Sequence, residues 1–276
     1  MRLATIAALI AASIAVAPAA QESLSEAARR KTLDQILDLY VRNGDVYYRA
    51  LRSDRAKLDG YVTLIAGVSV DTRPREEQIA FWLNAYNALV LRTVIDHYPI
   101  AGKSPEYPGR SIRQIAGAFD RTARRVAGRS LTLDQIEKDV LSQFHDPRVY
   151  FALGRGAIGS GRLRSEAFVP GRLEEQLADV AVECVSRAQC VQLESGANRL
   201  TVSSIFSWHE KDFADAYGDK APPSLASRSP IERAVVAFVS PKLLTAERDM
   251  IAANAFQMVY KPFDWTLNDL TGRGGR

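Results

Sequence analysis

The segment Glu76–Pro99 contains a long apolar run, with no charged residue between Ile79 and Leu91. A helix over this segment would be apolar on every side, so it must be buried, and it is too short to span a bilayer. Asn84 and Asn87 lie three positions apart and therefore share one face of that helix. Because buried amides need hydrogen-bond partners, we expect the two side chains either to clamp the fold internally or to belong to a binding site.

The remaining apolar periodicities predict a mixed α and β protein in which helices dominate. Further helices are predicted over residues 23–42, 53–66, 132–144, 172–187, 203–213, 230–239 and 241–250. A buried strand is predicted over 148–153, a hairpin around Gly128, a second hairpin pairing 190–193 with 199–202, and a strand-like return over 259–270. The fold class expected is α+β, a helix-rich single domain with a buried central helix and a small, mainly antiparallel sheet.

Residues 1–20 have the three-part pattern of a signal peptide, with basic Arg2, an apolar run and small residues around Pro18. We therefore expect a mature domain over residues 21–276, located in the periplasm or secreted. An uncleaved anchor is the alternative. No stable membrane anchor is expected after cleavage, since the chain has no other apolar run long enough to cross a bilayer.

Charge and histidine content narrow the possible partners. The formal net charge of +4 falls to +3 once Arg2 is removed with the signal, a surplus too small to indicate nucleic acid binding. The three histidines, His97, His145 and His209, are scattered along the chain without metal-ligand spacing. We therefore predict no metal site and no nucleic acid partner.

The two cysteines, Cys184 and Cys190, are separated by a short stretch that is typical of a helix end, a turn and the start of a strand. That geometry can bring two Cα atoms within disulfide reach, and export would place both thiols in an oxidising compartment. We expect an intramolecular disulfide, with two free thiols as the alternative.

Several spaced segments together resemble the bacterial DUF547 family, many of whose members are exported proteins without an assigned activity. The segments, in chain order, are VRNGDVYYRAL (41–51), QIAFWLNAYNALVL (78–91), SIRQI (111–115), RSLTLDQIE (129–137), DPRVYFAL (146–153), VSSIFSWHEKDF (202–213) and FDWTLND (263–269). The Trp-x-Asn-x-Tyr-Asn motif at 82–87 is the most specific of the matches.

The resemblance also implies a cysteine–histidine site that this chain lacks. Family members typically place a histidine at the start of a His-Phe-Ala-Leu segment and follow it with a Cys-x-x-x-x-Cys-Pro loop. Here the corresponding positions hold Tyr150, Arg155 and Ser160. Because a thiolate nucleophile needs a sulfur and a neighbouring base, thiol chemistry cannot be carried over to this chain.

The loop that begins at Gly154 spells G-x-G-x-x-G, but no helical period follows it, so we predict no dinucleotide and no other cofactor. Arg155, Arg162 and Arg164 beside glycine amides could instead hold a small anion. A solvated loop is the simpler alternative.

Two classes of function remain open. The first is a non-catalytic exported protein that binds a small ligand or an envelope partner through the loop 154–163. The second is a hydrolase or transferase of altered mechanism that uses Ser160 with Asn84, Asn87 and a base that the sequence does not identify. The candidate binding residues are Asn84, Asn87, Tyr150, Arg155, Ser160 and Arg162.

Overall fold

The computed structural model describes residues 24–270, so the predicted signal peptide lies outside the described residues. The helices are α1 (Leu24–Tyr40), α2 (Tyr48–Ser53), α3 (Ala56–Ile65), α4 (Arg75–His97), α5 (Leu133–Gln135), α6 (Leu173–Val185), α7 (Ser204–Trp208), α8 (Glu210–Tyr217), α9 (Pro230–Val239) and α10 (Thr245–Ala252). No helix in this part of the chain is both long and apolar enough to cross a membrane.

Short strands form three small sheets between the helices. The strands are β1 (Val41–Arg42), β2 (Asp45–Val46), β3 (Arg124–Val126), β4 (Arg129–Leu131), β5 (Val191–Glu194), β6 (Arg199–Ser203) and β7 (Gln257–Lys261). The pairs β1–β2 and β3–β4 are antiparallel, and β6 pairs antiparallel with β5 on one side and parallel with β7 on the other. The helix-rich α+β architecture is as predicted, with small antiparallel and mixed sheets.

Helix α4 is the central buried helix that the apolar run predicts. Pro74 occupies its N-cap position, and the helix ends before Tyr98, whose extended backbone suits the residue preceding a proline. Every residue from Ile79 to Leu91 is buried, because α1, α2, α3 and the segment that follows α5 all pack against this helix. The polar residues within it therefore have only protein partners available.

The segment after Thr132 begins as predicted and then departs from a regular helix. The Thr132 and Gln135 side chains form a capping box that starts α5. The chain continues as a π-helical turn over Ile136–Val140 and ends as a 3-10 turn over Leu141–Phe144. π-Helical insertions change which side chains face inward and occur often at functional sites.

The prediction of a strand over 148–153 was wrong: the chain forms a 3-10 helix over Pro147–Phe151. Proline at the first position sets a helical φ, and the Asp146 side chain accepts a hydrogen bond from the Arg148 backbone N–H, 3.2 Å away. These local contacts override the strand preference of the Val-Tyr-Phe run. The strand-like return over 259–270 was correct only at its start, since β7 ends at Lys261.

The cysteine pair lies at disulfide distance. Cys184, in the last turn of α6, and Cys190, just before β5, have Cα atoms 5.2 Å apart. The helix end, turn and strand start predicted from the sequence are all present. The pair connects α6 to the start of the three-stranded sheet, and with Ser160 it lines a small cavity.

Candidate functional site

A cavity of about 340 Å³ opens where five separate parts of the chain meet. We call it the tryptophan cavity. Its lining comes from the 3-10 turn Ile112–Gln114, the α5 and π-helical turns, the glycine-rich loop, and the aromatic residues at the end of α7 and after β7. The lining residues are Arg113, Phe119, Asp134, Glu137, Lys138, Arg155, Trp208, His209 and Trp265.

A buried ion pair forms the floor of this cavity. The Arg155 guanidinium donates to the Glu137 carboxylate through Nη2 at 2.5 Å and through Nε at 3.2 Å. The two side chains are 2 % and 6 % exposed. The remaining Arg155 nitrogen, Nη1, donates to the Tyr150 backbone carbonyl at 3.1 Å. A guanidinium this deep requires a paired carboxylate, because an isolated buried charge costs several kcal/mol.

Two further side chains donate to the same carboxylate. The Tyr86 hydroxyl donates to Oε2 at 3.2 Å, and His209 Nε2 lies 2.8 Å from Oε1. Burial alone would raise the pKa of Glu137, but the Arg155 charge and the hydrogen bonds from His209 and Arg155 outweigh it and lower this pKa well below its ordinary value of 4.5. An ionised carboxylate only accepts, so His209 must carry its proton on Nε2.

A backbone break positions His209. The sequence predicts one helix over 203–213, but the chain forms two, and His209 stands between them with φ −122° and ψ 34°. Its ring stacks on Tyr150, with centroids 3.4 Å apart and planes 8° apart. The Tyr150 hydroxyl donates to Asp212, and burial together with that carboxylate raises the pKa of Tyr150. Tyr150 therefore holds the imidazole plane and stays a neutral donor.

Aromatic rings form the wall and mouth of the cavity. The Trp208 and Trp265 rings lie nearly parallel, with centroids 6.1 Å apart, and Phe263 contacts both. Phe119 packs edge-on against Trp265 at 5.7 Å. Trp208 is 43 % exposed, which is unusual for so large an apolar side chain. This surface can stack against a flat or ring-shaped molecule.

Arg113 stands at the same mouth. Its guanidinium lies 4.3 Å from the Trp265 ring centroid, 4.8 Å from that of Phe119 and 5.8 Å from that of Tyr107. The neighbouring cation Lys138 is paired with Asp134 at 2.7 Å. Across the part of the chain that the structure describes, the Arg113 side chain has no ion-pair partner.

The two amides predicted from α4 clamp backbone segments. Asn84 Nδ2 donates to the Phe168 carbonyl at 2.9 Å, and Asn84 Oδ1 accepts from the Phe168 N–H at 2.8 Å. Asn87 does the same for the glycine-rich loop, donating to the Ala152 carbonyl at 3.1 Å and accepting from the Gly154 N–H at 2.8 Å. The internal-clamp alternative is the one observed, and neither amide lines the tryptophan cavity.

Ser160 is also used structurally. Its hydroxyl accepts the Arg155 backbone N–H at 3.0 Å, and the residue is 6 % exposed. Among the described residues, no histidine or carboxylate is hydrogen-bonded to it. Next to it, Gly161 lies so close to the Phe151 carbonyl that an added Cβ would meet that oxygen at 1.6 Å, so only glycine fits.

The two neighbouring arginines, Arg162 and Arg164, both have carboxylate partners. Arg162 contacts Glu183 at 3.3 Å and Asn43 at 3.0 Å, and with Ser160 it lines a separate polar cavity of about 210 Å³. Arg164 pairs with Glu166 at 2.8 Å. Of the six predicted binding residues, the structure places Arg155 in the tryptophan cavity's lining and Tyr150 directly behind it.

Sequence reasoning missed Glu137, His209, Trp208, Trp265 and Arg113. Each lies within a segment that carries the family resemblance, at 129–137, 202–213, 263–269 or 111–115. Their position in these segments was the one indication in the sequence that they could belong to a site. It does not reveal that the segments lie next to one another in the folded chain. Among the described residues, no group of three or more histidine, cysteine, aspartate or glutamate side chains could hold a metal ion.

Comparison with known proteins gives one finding. No curated protein and no solved structure matches the chain significantly. One family model does match a segment of the chain. That segment includes α4, the α5 and π-helical turns and the glycine-rich loop, and therefore both residues of the Arg155–Glu137 pair. The resemblance is confirmed over this segment: residues 70–184 match the family described as "Protein of unknown function, DUF547".

Proposed function

We propose that this chain is an exported, non-catalytic binding protein whose tryptophan cavity takes up a small organic molecule with a flat or ring-shaped part. The observation that carries the proposal is the Arg155–Glu137 pair on the cavity floor. The family resemblance implies that Arg155 stands where relatives have a cysteine. In this chain its guanidinium donates hydrogen bonds to the Glu137 carboxylate and to the Tyr150 backbone carbonyl.

The groups that could do chemistry at this floor are already engaged. Glu137 is held ionised and accepts from Tyr86, Arg155 and His209, so it is a weak base. His209 donates its Nε2 proton to that carboxylate. A nucleophile beside a free base, which hydrolases and transferases of the covalent type need, is not assembled there. The arrangement supports a rigid polar floor instead.

The Ser160 alternative has little support from the contacts of its hydroxyl. An activated serine donates its proton to a base, and among the described residues no histidine or carboxylate is hydrogen-bonded to the Ser160 hydroxyl. A serine-directed fluorophosphonate probe should therefore leave Ser160 unlabelled. Labelling that disappears in Ser160→Ala would overturn the non-catalytic part of the proposal.

The size and lining of the cavity suit a small ligand. A volume of about 340 Å³ lies at the lower end of typical ligand pockets, which run from roughly 300 to 1,000 Å³. The exposed face of Trp208 provides a stacking surface, and the charged floor provides polar contacts that can fix orientation. This combination of apolar wall and few convergent polar groups is typical of binding sites.

The direct test uses naphthalene-2-carboxamide as a neutral ring-shaped probe, titrated into the purified mature protein by calorimetry. At roughly 0.3 kcal/mol per atom, its thirteen or so non-hydrogen atoms correspond to a Kd of about 1 mM. Trp208→Ala should abolish this binding. Tyr260→Ala is the matched control, since Tyr260 is a comparably exposed aromatic residue, at 38 %, that is not part of the cavity. Equal binding by native protein and Trp208→Ala would refute the assignment of the cavity.

Export is tested separately, by expressing the full chain in a bacterium and fractionating the cells. The predicted signal peptide requires the protein to appear outside the cytoplasm with a mass that lacks about the first 20 residues. A cytoplasmic product that retains residues 1–20 would contradict the export part of the proposal.

A further inference from the structure

We infer that the ligand of the tryptophan cavity carries an anionic group, a carboxylate or a chemically similar oxyanion, and that Arg113 binds it. This inference rests on the proposed function and adds the chemical class of the ligand. It depends on one contrast among the charged residues that line the cavity: two of the three cations have a carboxylate partner, and Arg113 has none in the described part of the chain.

The pairing of the other two cations removes them as anion receptors. Lys138 lies 2.7 Å from Asp134, and Arg155 lies 2.5 Å from Glu137. Among the arginine, lysine, aspartate and glutamate side chains of the lining, three positive charges face two negative charges, and the unmatched positive charge belongs to Arg113. The electrostatic potential at the mouth of the tryptophan cavity therefore favours an anion over a cation or a neutral molecule.

The aromatic contacts of Arg113 hold its guanidinium in place. Trp265, Phe119 and Tyr107 lie 4.3, 4.8 and 5.8 Å from its central carbon, measured to the ring centroids. Aromatic rings do not pair with the guanidinium N–H groups as a carboxylate does, so these groups keep their capacity to donate to an oxyanion. An arginine already packed against aromatic rings loses less side-chain entropy when it binds an oxyanion with two parallel hydrogen bonds.

The same contacts connect the charge to the stacking surface. Trp265 contacts the Arg113 guanidinium, and its ring lies nearly parallel to that of Trp208, with 6.1 Å between the ring centroids. A ligand with its oxyanion at Arg113 can therefore lay its flat part along the two indoles. The ligand class is an aromatic or otherwise flat acid that fits a cavity of about 340 Å³.

The test compares naphthalene-2-carboxylate with naphthalene-2-carboxamide, which share a ring system and differ in charge. The native protein should bind the carboxylate about tenfold more tightly, the effect expected for one charge-assisted hydrogen-bonded contact. Arg113→Gln should reduce this ratio to about one, because it removes the charge that distinguishes the two probes. Arg113→Lys should retain part of the preference, because it keeps the charge and loses the planar donor edge.

Arg110→Gln is the matched control, since Arg110 is an exposed arginine three positions away that does not line the cavity. It should keep the tenfold ratio. Equal binding of the two probes by the native protein would overturn the anionic ligand and leave the cavity proposal standing. A preference that survives in Arg113→Gln would overturn the role of Arg113. Failure of both probes to bind would instead refute the proposed function itself.

Discussion

Replacing Glu137 with glutamine tests whether the buried ion pair holds the cavity floor together. Glutamine keeps the shape of the side chain and can still accept hydrogen bonds through one oxygen, so the change removes chiefly the negative charge. Arg155 then retains a positive charge at 2 % exposure with no carboxylate beside it. An arginine guanidinium stays protonated in proteins, so Arg155 does not deprotonate to escape the penalty.

Removing one partner of a buried ion pair typically destabilises a protein by about 3–5 kcal/mol. We expect Glu137→Gln to fall in this range. The matched control is Glu174→Gln, which also removes a carboxylate paired with an arginine, Arg148 at 2.7 Å. The Glu174 side chain is 81 % exposed, so its loss should cost no more than about 1 kcal/mol.

The pH dependence of stability gives an independent check with a defined sign. Because the folded state lowers the pKa of Glu137, the unfolded chain binds more protons than the folded one below the ordinary value of 4.5. The stability contributed by Glu137 is therefore fully present above about pH 4.5 and is lost progressively as the pH falls further. The destabilisation by Glu137→Gln should accordingly be largest at neutral pH and should shrink toward pH 3.

Urea unfolding followed by circular dichroism, at several pH values, measures both effects. The double variant Glu137→Gln with Arg155→Met should recover much of the lost stability at pH 7, because it removes both charges together. A single variant Glu137→Gln within about 1 kcal/mol of the native chain would refute the reasoning. So would a destabilisation that does not change with pH.

Three further predictions concern the surroundings of the site. Asn84→Leu should lower stability by about 1–3 kcal/mol in urea unfolding, because it leaves the Phe168 N–H and C=O without partners; unchanged stability would contradict the clamp. Unreduced mature protein treated with iodoacetamide should show no added mass, because Cys184 and Cys190 are paired; labelling of both would contradict this. Ser160→Ala should also cost about 1–3 kcal/mol, because the buried Arg155 N–H loses its acceptor, and a fully stable variant would make Ser160 a passive loop residue.

Elements whose causes are local could be predicted from the sequence. Helix α4 is the clearest case, since its apolar run, the proline before it and Pro99 after it all lie within one segment. The capping box of Thr132 and Gln135 was readable for the same reason. The cysteine pair also depends on a turn of only a few residues.

Other features depend on contacts that local patterns do not encode. The Val-Tyr-Phe run resembles a strand until Pro147 and the Asp146 cap are weighed against it. The π-helical turn at Ile136–Val140 has no sequence signature that we recognise, yet it contains Glu137. The cavity floor joins Glu137 to a partner 18 positions away and to another 72 positions away, pairings that spacing alone cannot reveal.

Arg155 lies in the candidate site for a reason that the sequence did not suggest. The sequence suggested that this arginine, beside glycine amides, could hold a small anion, but its side chain is buried and pairs with Glu137. A buried cation and a buried anion depend on each other, so the two residues must be considered together. Replacing Arg155 alone, with Arg155→Cys, should therefore remove the largest cause that lowers the pKa of Glu137.

The sign of the resulting pH effect follows from burial. Without the guanidinium, burial disfavours the ionised Glu137 carboxylate and favours its uptake of a proton in the folded state. The folded variant then binds more protons than the unfolded chain, so its stability relative to the native protein falls as the pH rises. Urea unfolding at pH 5 and pH 7.5 should show the larger destabilisation at pH 7.5. Ser160→Cys, which adds a thiol without removing a charge, should show no such difference, and equal destabilisation of Arg155→Cys at both pH values would mean that the arginine charge does not hold Glu137 ionised.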